Sequence, residues 1–388
     1  MITTINNKHK KLNVPNLRFP EFQGEWEEER LADIADLYKG TGISKDQLSD
    51  DGEPCILYGE LYTKYKSETI REVISKTNID NTKLVRSKDN DVIIPCSGET
   101  AEDIATARCV LNGNILLGGD LNIIRLHGYD GTFMSYQLNG KRKYDIAKVA
   151  QGVSVVHLYG EHLKGVKTIN PCLTEQKKIV SLLTLLDERI ATQNKIIEDL
   201  KKLKSAISKK LLCNDKWTTC IIQDIAEIGR GRVISSVEID RQKHPLYPVY
   251  SSQTSNNGIM GYLDNYMFDG EYITWTTDGA NAGTVFYRKG KFNCTNVCGI
   301  LKILPKFDCY FVSLVLQQAT QKYVSSNLAN PKLMNNTMAS IKIRMPNIET
   351  QKQLSKVFQT LDSCLLVHQR TCKMYLSEKQ HLLCQMFI

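Results

Sequence analysis

The sequence lacks a stretch that could cross a membrane or act as a secretory signal. Its most apolar run, Ile179 to Leu186, is short and is interrupted by Ser181 and Thr184, whereas a spanning helix needs about 20 apolar residues. The N-terminal segment from Met1 to Pro20 is polar and basic, so it has no apolar signal-peptide core. We therefore expect a cytoplasmic protein whose 12 cysteines stay reduced.

Recognisable catalytic motifs are also missing. The nearest match to the Asn-Pro-Pro-aromatic signature of an adenine methyltransferase is Asn330-Pro331-Lys332-Leu333, which lacks the second proline and the aromatic residue. The glycines between Gly279 and Gly283 do not open a helix pattern, no P-loop motif is present, and the Cys294–Cys298 pair has no second pair beside it. We expect no catalytic residue, no metal site and no cofactor in this chain.

What is present is an ordinary globular composition with a moderate basic excess. The 388 residues are 42% hydrophobic and 24% charged, and 50 basic against 42 acidic side chains leave a net charge of +8. This length predicts roughly two to three domains. The charge is compatible with a nucleic-acid partner but does not identify one.

The chain repeats itself in two ordered blocks. At an offset of 191, Trp26 matches Trp217, the Asp-Ile-Ala run at Asp33 matches that at Asp224, and Gly40 matches Gly231. At an offset of 175, further matches include Pro171 with Pro346, Gln176-Lys177 with Gln351-Lys352, and Leu186-Asp187 with Leu361-Asp362. Two ordered matches around a variable middle indicate a tandem duplication.

Each copy combines a variable part with a segment that lacks glycine and proline. The variable parts contain short β-rich runs, such as 91–94, 122–126, 271–275 and 299–304, separated by turn residues. The segments 172–213 and 347–388 each follow a proline and read as long helices. The pattern predicts an α+β fold with two mixed globular domains, 1–171 and 214–346, joined by two long helices that form an antiparallel coiled coil with pseudo-twofold duplication.

Both helices show the alternating four- and three-residue spacing of a coiled-coil seam. A helix of about 40 residues is ~60 Å long, too long for one small domain to cover, so we expect the two to pair. Polar residues interrupt both stripes at matching places, Gln193 with His368 and Lys204 with Lys379, and Gln193 is predicted to face His368. The predicted seam residues are Ile179, Leu183, Leu186, Ile190, Gln193, Ile197 and Leu200, with Leu354, Phe358, Leu361, Leu365, His368 and Tyr375.

Further apolar residues widen these stripes. They include Val180, Leu182 and Leu185 on the first helix, and Val357, Leu366, Val367, Leu376 and Leu383 on the second. Such residues can either contact the protein's own globular domains or form a docking surface for partner subunits.

Several of these phrases resemble the specificity (S) subunits of type I restriction–modification systems. The run from Asn13 to Phe22 followed by Gly24-Glu25-Trp26 resembles their opening, and the Pro171…Thr174-Glu175-Gln176-Lys177 phrase with its echo after Pro346 resembles their repeated helical regions. The resemblance covers essentially the whole chain. It implies two target-recognition domains, a central and a C-terminal conserved helical region, and a bipartite, asymmetric DNA target.

The resemblance also implies the partners. Two methyltransferase (M) subunits would dock on the chain and methylate adenine with S-adenosylmethionine. Two restriction (R) subunits would add ATP- and Mg-dependent translocation and cleavage of unmodified DNA. The expected partners are thus double-stranded DNA and these subunits, without a membrane. Two alternatives stay open from the residues: a coiled-coil scaffold with two β-rich interaction heads that do not bind DNA, and a catalytic methyltransferase or nuclease.

Candidate DNA contacts follow from residue type and position. Lysine and arginine contact phosphates, whereas arginine, amides and hydroxyls can read base edges. Lys39 and Arg230 stand out because they occupy equivalent places before the matched glycines. The candidates are Lys39, Thr41, Lys64, Lys66, Arg86, Arg108 and 141–143 in copy one, and Arg230, Arg232, Ser252, Gln253, Asn256, Asn257, Thr277 and Asn281 in copy two.

Overall fold

The computed structural model describes residues 12–80, 82–152, 155–212, 215–325 and 330–388. They form two compact units, of which the first comprises residues up to 194 together with 370–388, and the second comprises 195–369. Each long helix is therefore divided between the units. The units are described separately.

The first unit contains thirteen strands among the described residues. They are β1 (Glu27–Arg30), β2 (Ala35–Lys39), β3 (Leu48–Ser49), β4 (Glu53–Ile56), β5 (Thr69–Ile70), β6 (Ser75–Thr77), β7 (Asp91–Pro95), β8 (Ser97–Gly98), β9 (Arg108–Val110), β10 (Leu116–Leu117), β11 (Leu121–Leu126), β12 (Val156–His157) and β13 (Lys167–Asn170). Its helices are α1 (Leu31–Ile34), α2 (Glu60–Thr63), α3 (Ala101–Ile104), α4 (Gly131–Asn139), α5 (Lys143–Val149), α6 (Gly160–Lys164) and the first part of α7 (Leu173–Leu211).

The second unit has fewer and longer strands. They are β14 (Thr218–Ile221), β15 (Ala226–Arg230), β16 (Tyr247–Tyr250), β17 (Ile259–Leu263), β18 (Phe268–Thr276), β19 (Val285–Cys294), β20 (Cys298–Ile303) and β21 (Lys342–Met345). Its helices are α8 (Ile222–Ile225), α9 (Ser236–Asp240), α10 (Cys309–Ala319), α11 (Asn335–Ser340) and most of α12 (Ile348–Met386). The four strand segments predicted from the sequence coincide with β7, β11, β18 and β20.

The largest sheets of the two units, which we call the main sheets, share one plan. In the first unit the strand order is β2-β11-β7-β9-β5, and in the second it is β15-β20-β18-β19-β16-β17. The first four strands of each order pair antiparallel throughout, and the fifth joins in parallel. A doubly wound parallel sheet is thereby excluded for the described residues. The predicted α+β duplication is confirmed.

The same contacts join each sheet to its long helix. The Gln176 side chain donates to the Pro171 carbonyl at 2.8 Å and accepts from the Asp130 backbone N–H at 2.9 Å. Gln351 makes the corresponding bonds to Pro346 and Asp308 at 2.8 and 2.9 Å. The repeated phrase of the sequence therefore encodes this junction.

Aromatic packing completes each junction. The caps of α4 and α10 are Asp130 and Asp308, which accept from the backbone N–H groups of Phe133 at 2.9 Å and Phe311 at 2.8 Å. The rings of Trp26 and Phe133 meet edge to face at 5.9 Å between centroids, and those of Trp217 and Phe311 at 5.8 Å. The matched tryptophans thus serve one packing role in both copies.

In the first unit the segments of α7 and α12 run antiparallel, and in the second they also contact each other. In the first, Asp187 of α7 pairs with Lys379 of α12. Asn194, which lies seven residues after Asp187 on α7, accepts from Cys372, which lies seven residues before Lys379 on α12. In the second, Lys204 pairs with Asp362. All predicted seam residues are buried or half-buried. Gln193 and His368 fall in different units, and their pairing stays a prediction.

The wider apolar residues divide into two groups. Val180, Leu182 and Leu383 pack in the cluster that contains Trp26 and Phe133, so they contact the globular part of the first unit. Leu185, Val357, Leu366, Val367 and Leu376 are exposed. No helix in the described part of the chain is both long and apolar enough to cross a membrane.

Candidate nucleic-acid interface

The strand ends at Lys39 and Arg230 mark the same edge of the two main sheets. Gly40, the next residue, donates its N–H to the Leu121 carbonyl at 2.9 Å, and Gly231 donates to the Cys298 carbonyl at 3.4 Å. A Cβ atom at Gly40 would collide with the Gly118 carbonyl, and one at Gly231 with that of Cys294. The glycines are repeated because the chain must pass this close to the neighbouring backbone.

In the first unit this edge is concave. Three adjoining hollows meet there, the two larger of about 760 and 820 Å³, and they share Ser97, Tyr58 and Asp120 along their borders. Four of the predicted contacts, Lys39, Lys64, Lys66 and Arg108, line this concave surface. The structure thus brings together residues that are up to 69 positions apart in the sequence. We call this surface the first groove.

The basic residues of the first groove differ in their freedom. Lys39 is two-thirds exposed and lies 3.9 Å from the Asp120 carboxylate. The Lys64 Nζ atom is held by Glu60 at 2.7 Å and by the Ser75 hydroxyl at 2.6 Å. Lys39 can therefore reach a phosphate without losing a firm partner, whereas Lys64 would have to leave two.

The side chains of Lys66, Arg108 and Thr41 form hydrogen bonds with backbone groups of the protein. Lys66 donates to the Tyr62 carbonyl at 2.5 Å, and Arg108 donates to the Tyr65 and Ala107 carbonyls at 3.1 and 2.8 Å. Burial lowers the pKa of Arg108, with Glu68 acting in the opposite direction. The Thr41 hydroxyl accepts from the Val85 N–H at 3.0 Å, which occupies one of its two acceptor lone pairs.

The remaining basic candidates of the first unit do not line the groove. Arg86 pairs with Glu53 at 2.5 Å, and Arg142 pairs with Asp145 at 3.3 Å on α5. These contacts give them roles within the fold, which the sequence reasoning did not anticipate.

Sequence reasoning missed the aromatic lining of the first groove. Tyr58, Tyr62, His157 and Tyr159 all face it, and Tyr58 and Tyr159 are exposed. The His157 ring lies 3.4 Å from the Ser97 hydroxyl. These residues come from segments about 100 positions apart, and no local motif links them, so only the β8–β12 pairing reveals their proximity.

In the second unit three loops converge on the turn between β19 and β20. Backbone N–H groups of Arg232, Thr277 and Thr295 bond to the carbonyls of Cys294, Val297 and Tyr250, respectively. The turn therefore brings together the chain after β15, the loop after β18 and the end of β16. We call this surface the second edge.

The two arginines of the second edge have different partners. Arg230 is exposed and donates from Nε to the Asn335 side chain at 2.9 Å. Arg232 forms an ion pair with Glu238, its Nη1 atom lying 2.8 Å from the carboxylate. The shared strand end keeps Arg230 available, whereas Arg232 is neutralised within its own loop.

The loop 251–258 presents amides to solvent. Asn256 and Asn257 adopt left-handed backbone conformations with φ of 48° and 54° and are exposed. Ser252 is half-buried, and the Gln253 side chain donates to the Ile259 carbonyl inside the loop. Asn256 and Asn257 are thus the outward groups of this loop.

Beneath the loop, the buried Arg288 stacks at 3.6 Å from the Tyr250 ring centroid and donates to the Thr274 hydroxyl at 3.1 Å.

The loop after β18 is only partly accessible. Thr277 is fully buried, and its hydroxyl bonds to Asp278 at 2.6 Å and to the Val297 carbonyl at 3.0 Å. It therefore supports the turn, and we do not retain it as a base-reading residue. Asn281 is exposed, and Asp278 pairs with Lys332 at 3.9 Å. Lys332 belongs to the Asn330-Pro331 segment, which thus forms part of this surface.

The described residues contain no cluster of three or more potential metal ligands, and the eleven cysteines among them are free thiols. Cys294 and Cys298 lie at the base of the second edge, where burial raises the pKa of Cys294. The interface therefore consists of cations, amides, hydroxyls and aromatic rings on two sheets of one design. These are groups of the kinds that contact nucleic acids.

Comparison with known proteins identifies the family. The model of the type I restriction modification DNA specificity domain matches twice, at residues 23–202 and 214–373. The chain belongs to this family, whose role is DNA target recognition within type I restriction–modification systems and whose members are non-catalytic specificity subunits.

Individual relatives agree. A Mycoplasma pneumoniae protein named as a type I specificity subunit (S.MpnORF201P) is 38% identical over 190 residues, which cover 48% of this chain and 79% of the relative. The specificity subunit of the type I restriction enzyme MpnII from the same organism is 40% identical over 161 residues, covering 41% and 46%. The crystal structure of the type I S subunit from M. genitalium superposes with a TM-score of 0.72 at 18% identity, covering 97% of this chain and 99% of that one, which shows a shared fold.

Proposed function

We propose that this chain reads a bipartite, asymmetric DNA target, with one half-site contacted by the first groove and the other by the second edge. The observation that carries the proposal is the repeated strand end, where Lys39 and Arg230 stand before glycines locked against the neighbouring turn. A cation fixed at the same place in both sheets suits a phosphate contact that orients each domain on DNA.

The two half-sites should differ because the surfaces beside these cations differ. The first groove offers tyrosines, His157 and both acidic and basic side chains, whereas the second edge offers Asn256, Asn257 and Asn281. Amides suit bidentate contacts with adenine, and carboxylates can accept from the cytosine amino group. A chain with two unlike surfaces is not held to the palindrome that a homodimer would require.

For the boundaries we propose residues 1–171 and 214–346 as the target-recognition domains, with 172–213 and 347–388 as spacer helices. Within them, Lys39, Arg230, Asn256, Asn257 and Asn281 are the contacts that the exposure of their side chains favours. Lys64, Lys66, Arg108 and Arg232 are secondary candidates, since each would first have to release a partner within the protein.

The catalytic work then falls to partners. We propose that two M subunits dock on the chain and methylate adenine with S-adenosylmethionine, and that two R subunits use ATP and Mg to cleave unmodified DNA, all in the cytoplasm. The exposed residues Leu366, Val367 and Leu376 of α12 are apolar positions available to such partners. One similar structure, with a TM-score of 0.53 and 12% identity, comes from work on complex assembly and conformational transition of the type I system.

The adenine methylome of host cells with and without this gene tests the proposal. We expect one methylated motif, made of two unlike half-sites and an unspecified spacer, to vanish on deletion and to return on complementation. A complementing K39A/R230A double variant should restore less methylation at the same motif, because it weakens attachment without changing the reading of bases. An unchanged methylome in cells that express an active partner methyltransferase would contradict the proposal.

A further inference from the structure

A buried cluster joins three parts of the first unit. The Asp187 carboxylate on α7 accepts a hydrogen bond from the Tyr136 hydroxyl at 2.6 Å and forms an ion pair with Lys379 of α12 at 2.6 Å. Lys379 also contacts Glu68, in the loop before β5, at 2.6 Å. Side-chain exposure is only 13–16% for Lys379, Glu68 and Asp187, so solvent screens these contacts weakly.

The second unit repeats the arrangement with the helices exchanged. Asp362 on α12 accepts from the Tyr310 hydroxyl at 2.5 Å and pairs with Lys204 of α7. Asp362 and Lys204 are the duplicates of Asp187 and Lys379 at the 175-residue offset. In each unit a recognition-domain helix supplies the tyrosine, the long helix that follows supplies the aspartate, and the other long helix supplies the lysine.

The tyrosines show that both units preserve the contact and not the residue position. Phe133 and Phe311 both follow their aspartate caps by three residues. Relative to these phenylalanines, Tyr136 lies three residues later and Tyr310 one residue earlier. These places are one helical turn apart, on the same helix face. A hydroxyl therefore reaches the aspartate from two different positions.

We propose that the two tyrosine–aspartate–lysine clusters are positioning joints, which fix each recognition domain relative to its helix pair and so set the spacer length that the bipartite target must have. This inference rests on the proposed function. Hydrogen bonds to charged groups are shorter and about twice as strong as neutral ones, and each aspartate binds both neighbours. Burial and the aspartate raise the pKa of both tyrosines, which keeps the phenols protonated as donors.

The length of β2 converts a small rotation at the joint into a displacement of the DNA-facing edge. Strand β2 starts at Ala35, which pairs with Leu126 four residues before the α4 cap, and ends at Lys39 of the DNA-facing edge, five residues or ~17 Å long at ~3.4 Å per residue. A rotation of about 10° at the joint would move that edge by ~3 Å, close to the ~3.4 Å between successive bases. A loosened joint should therefore absorb part of the displacement that one base pair more or fewer imposes, while the accompanying turn of about 35° about the DNA axis keeps some preference for the native spacer.

The test uses the complex with its methyltransferase subunit and DNA duplexes that carry the two half-sites of the wild-type motif. The spacer is varied from the native length to one base pair shorter and longer. We expect D187N and Y136F to lower the preference for the native spacer, D187N by about tenfold, while both half-site sequences stay unchanged. D362N and Y310F should act in the same direction but less, because Asp362 is 40% exposed.

The matched control is E188Q. Glu188 is the next residue on α7 and also forms an ion pair, with Arg71 at 2.8 Å, but both side chains are about half exposed. This variant should keep the wild-type spacer preference, since exposed pairs contribute little. If D187N fails to fold, Y136F decides, because it keeps the buried ring and removes only the hydroxyl.

The possible outcomes distinguish a failure of the joint proposal from a failure of the proposed function on which it rests. A wild-type preference that persists in folded D187N and Y136F complexes would overturn the joint and leave the proposed function standing. A wild-type complex that methylates no bipartite site would overturn both. Equal losses at every spacer length would show a purely structural role and would also overturn the joint.

Discussion

Arg230 illustrates how a single residue acquires a role from its place in the sheet. It ends β15, the next residue is a glycine that tolerates no side chain, and its guanidinium lies exposed beside Asn335. Of its five N–H donors, one bonds to the Asn335 side chain and one contacts the Met334 sulfur at 3.6 Å, which leaves three for a phosphate. Lys39 has the equivalent place in the first unit, with a single distant carboxylate as its partner.

For R230A we expect weaker binding of the complex to all DNA sequences and a salt slope, log K against log [salt], that is smaller in magnitude by about one unit. The reason is the loss of one phosphate neutralisation without loss of a base contact. Titrations of specific and nonspecific duplexes at several salt concentrations measure both quantities. K306A is the control, because Lys306 is exposed on the loop that follows the opposite end of β20. An unchanged slope in R230A, or an equal change in K306A, would refute the phosphate contact.

At the scale of elements, the junction between sheet and helix shows why some positions recur in both copies. Gln176 and Gln351 each connect a proline carbonyl at the helix start to the cap of α4 or α10. A glutamine suits this place because its amide donates and accepts at once. Both side chains are buried, so water cannot replace the bonds.

Replacing Gln176 with leucine should loosen the start of α4. The substitution leaves a buried N–H and a buried carbonyl without partners, at a cost of about 2 kcal/mol. Amide exchange in the first turns of α4 and α7 should therefore accelerate by about 30-fold, as measured by hydrogen exchange. Q351L should do the same at α10 and α12. K177A, at the exposed neighbouring position, should leave exchange unchanged, and equal protection in Q176L would refute this role of the amide.

The elements that the sequence predicts well are those with local periodicity or repetition. The seam from Ile179 to Leu200 and the strands β7, β11, β18 and β20 follow from spacing and turn residues alone. Contacts between distant segments do not. Thr277 is polar and lies in a glycine-rich loop, yet it is fully buried and bonds to the turn between β19 and β20. Likewise, Tyr136 and Tyr310 reach equivalent aspartates from unequal positions, so no fixed offset connects them.

At the scale of the whole molecule, the two copies share a framework but differ in the surfaces proposed to contact DNA. The junctions, helices and strand ends are shared, whereas the first groove and the second edge are built from different loops. A chain of this kind can change one surface without disturbing the other, because each main sheet has its own hydrophobic core. The two half-sites of the target should therefore be independent.

Exchange of one domain tests this independence. If the sequence between Trp217 and Lys342 is replaced by that between Trp26 and Lys167, both sheets carry the first groove while each long helix keeps its own seam. The matched ends make the graft possible, since the tryptophans and the lysines occupy equivalent places in β1, β13, β14 and β21 or directly before them. The methylome of cells that express the chimera should then show the first half-site twice. The parent chain, expressed from the same vector, is the control. A motif that keeps its second half-site would show that the second edge does not read DNA.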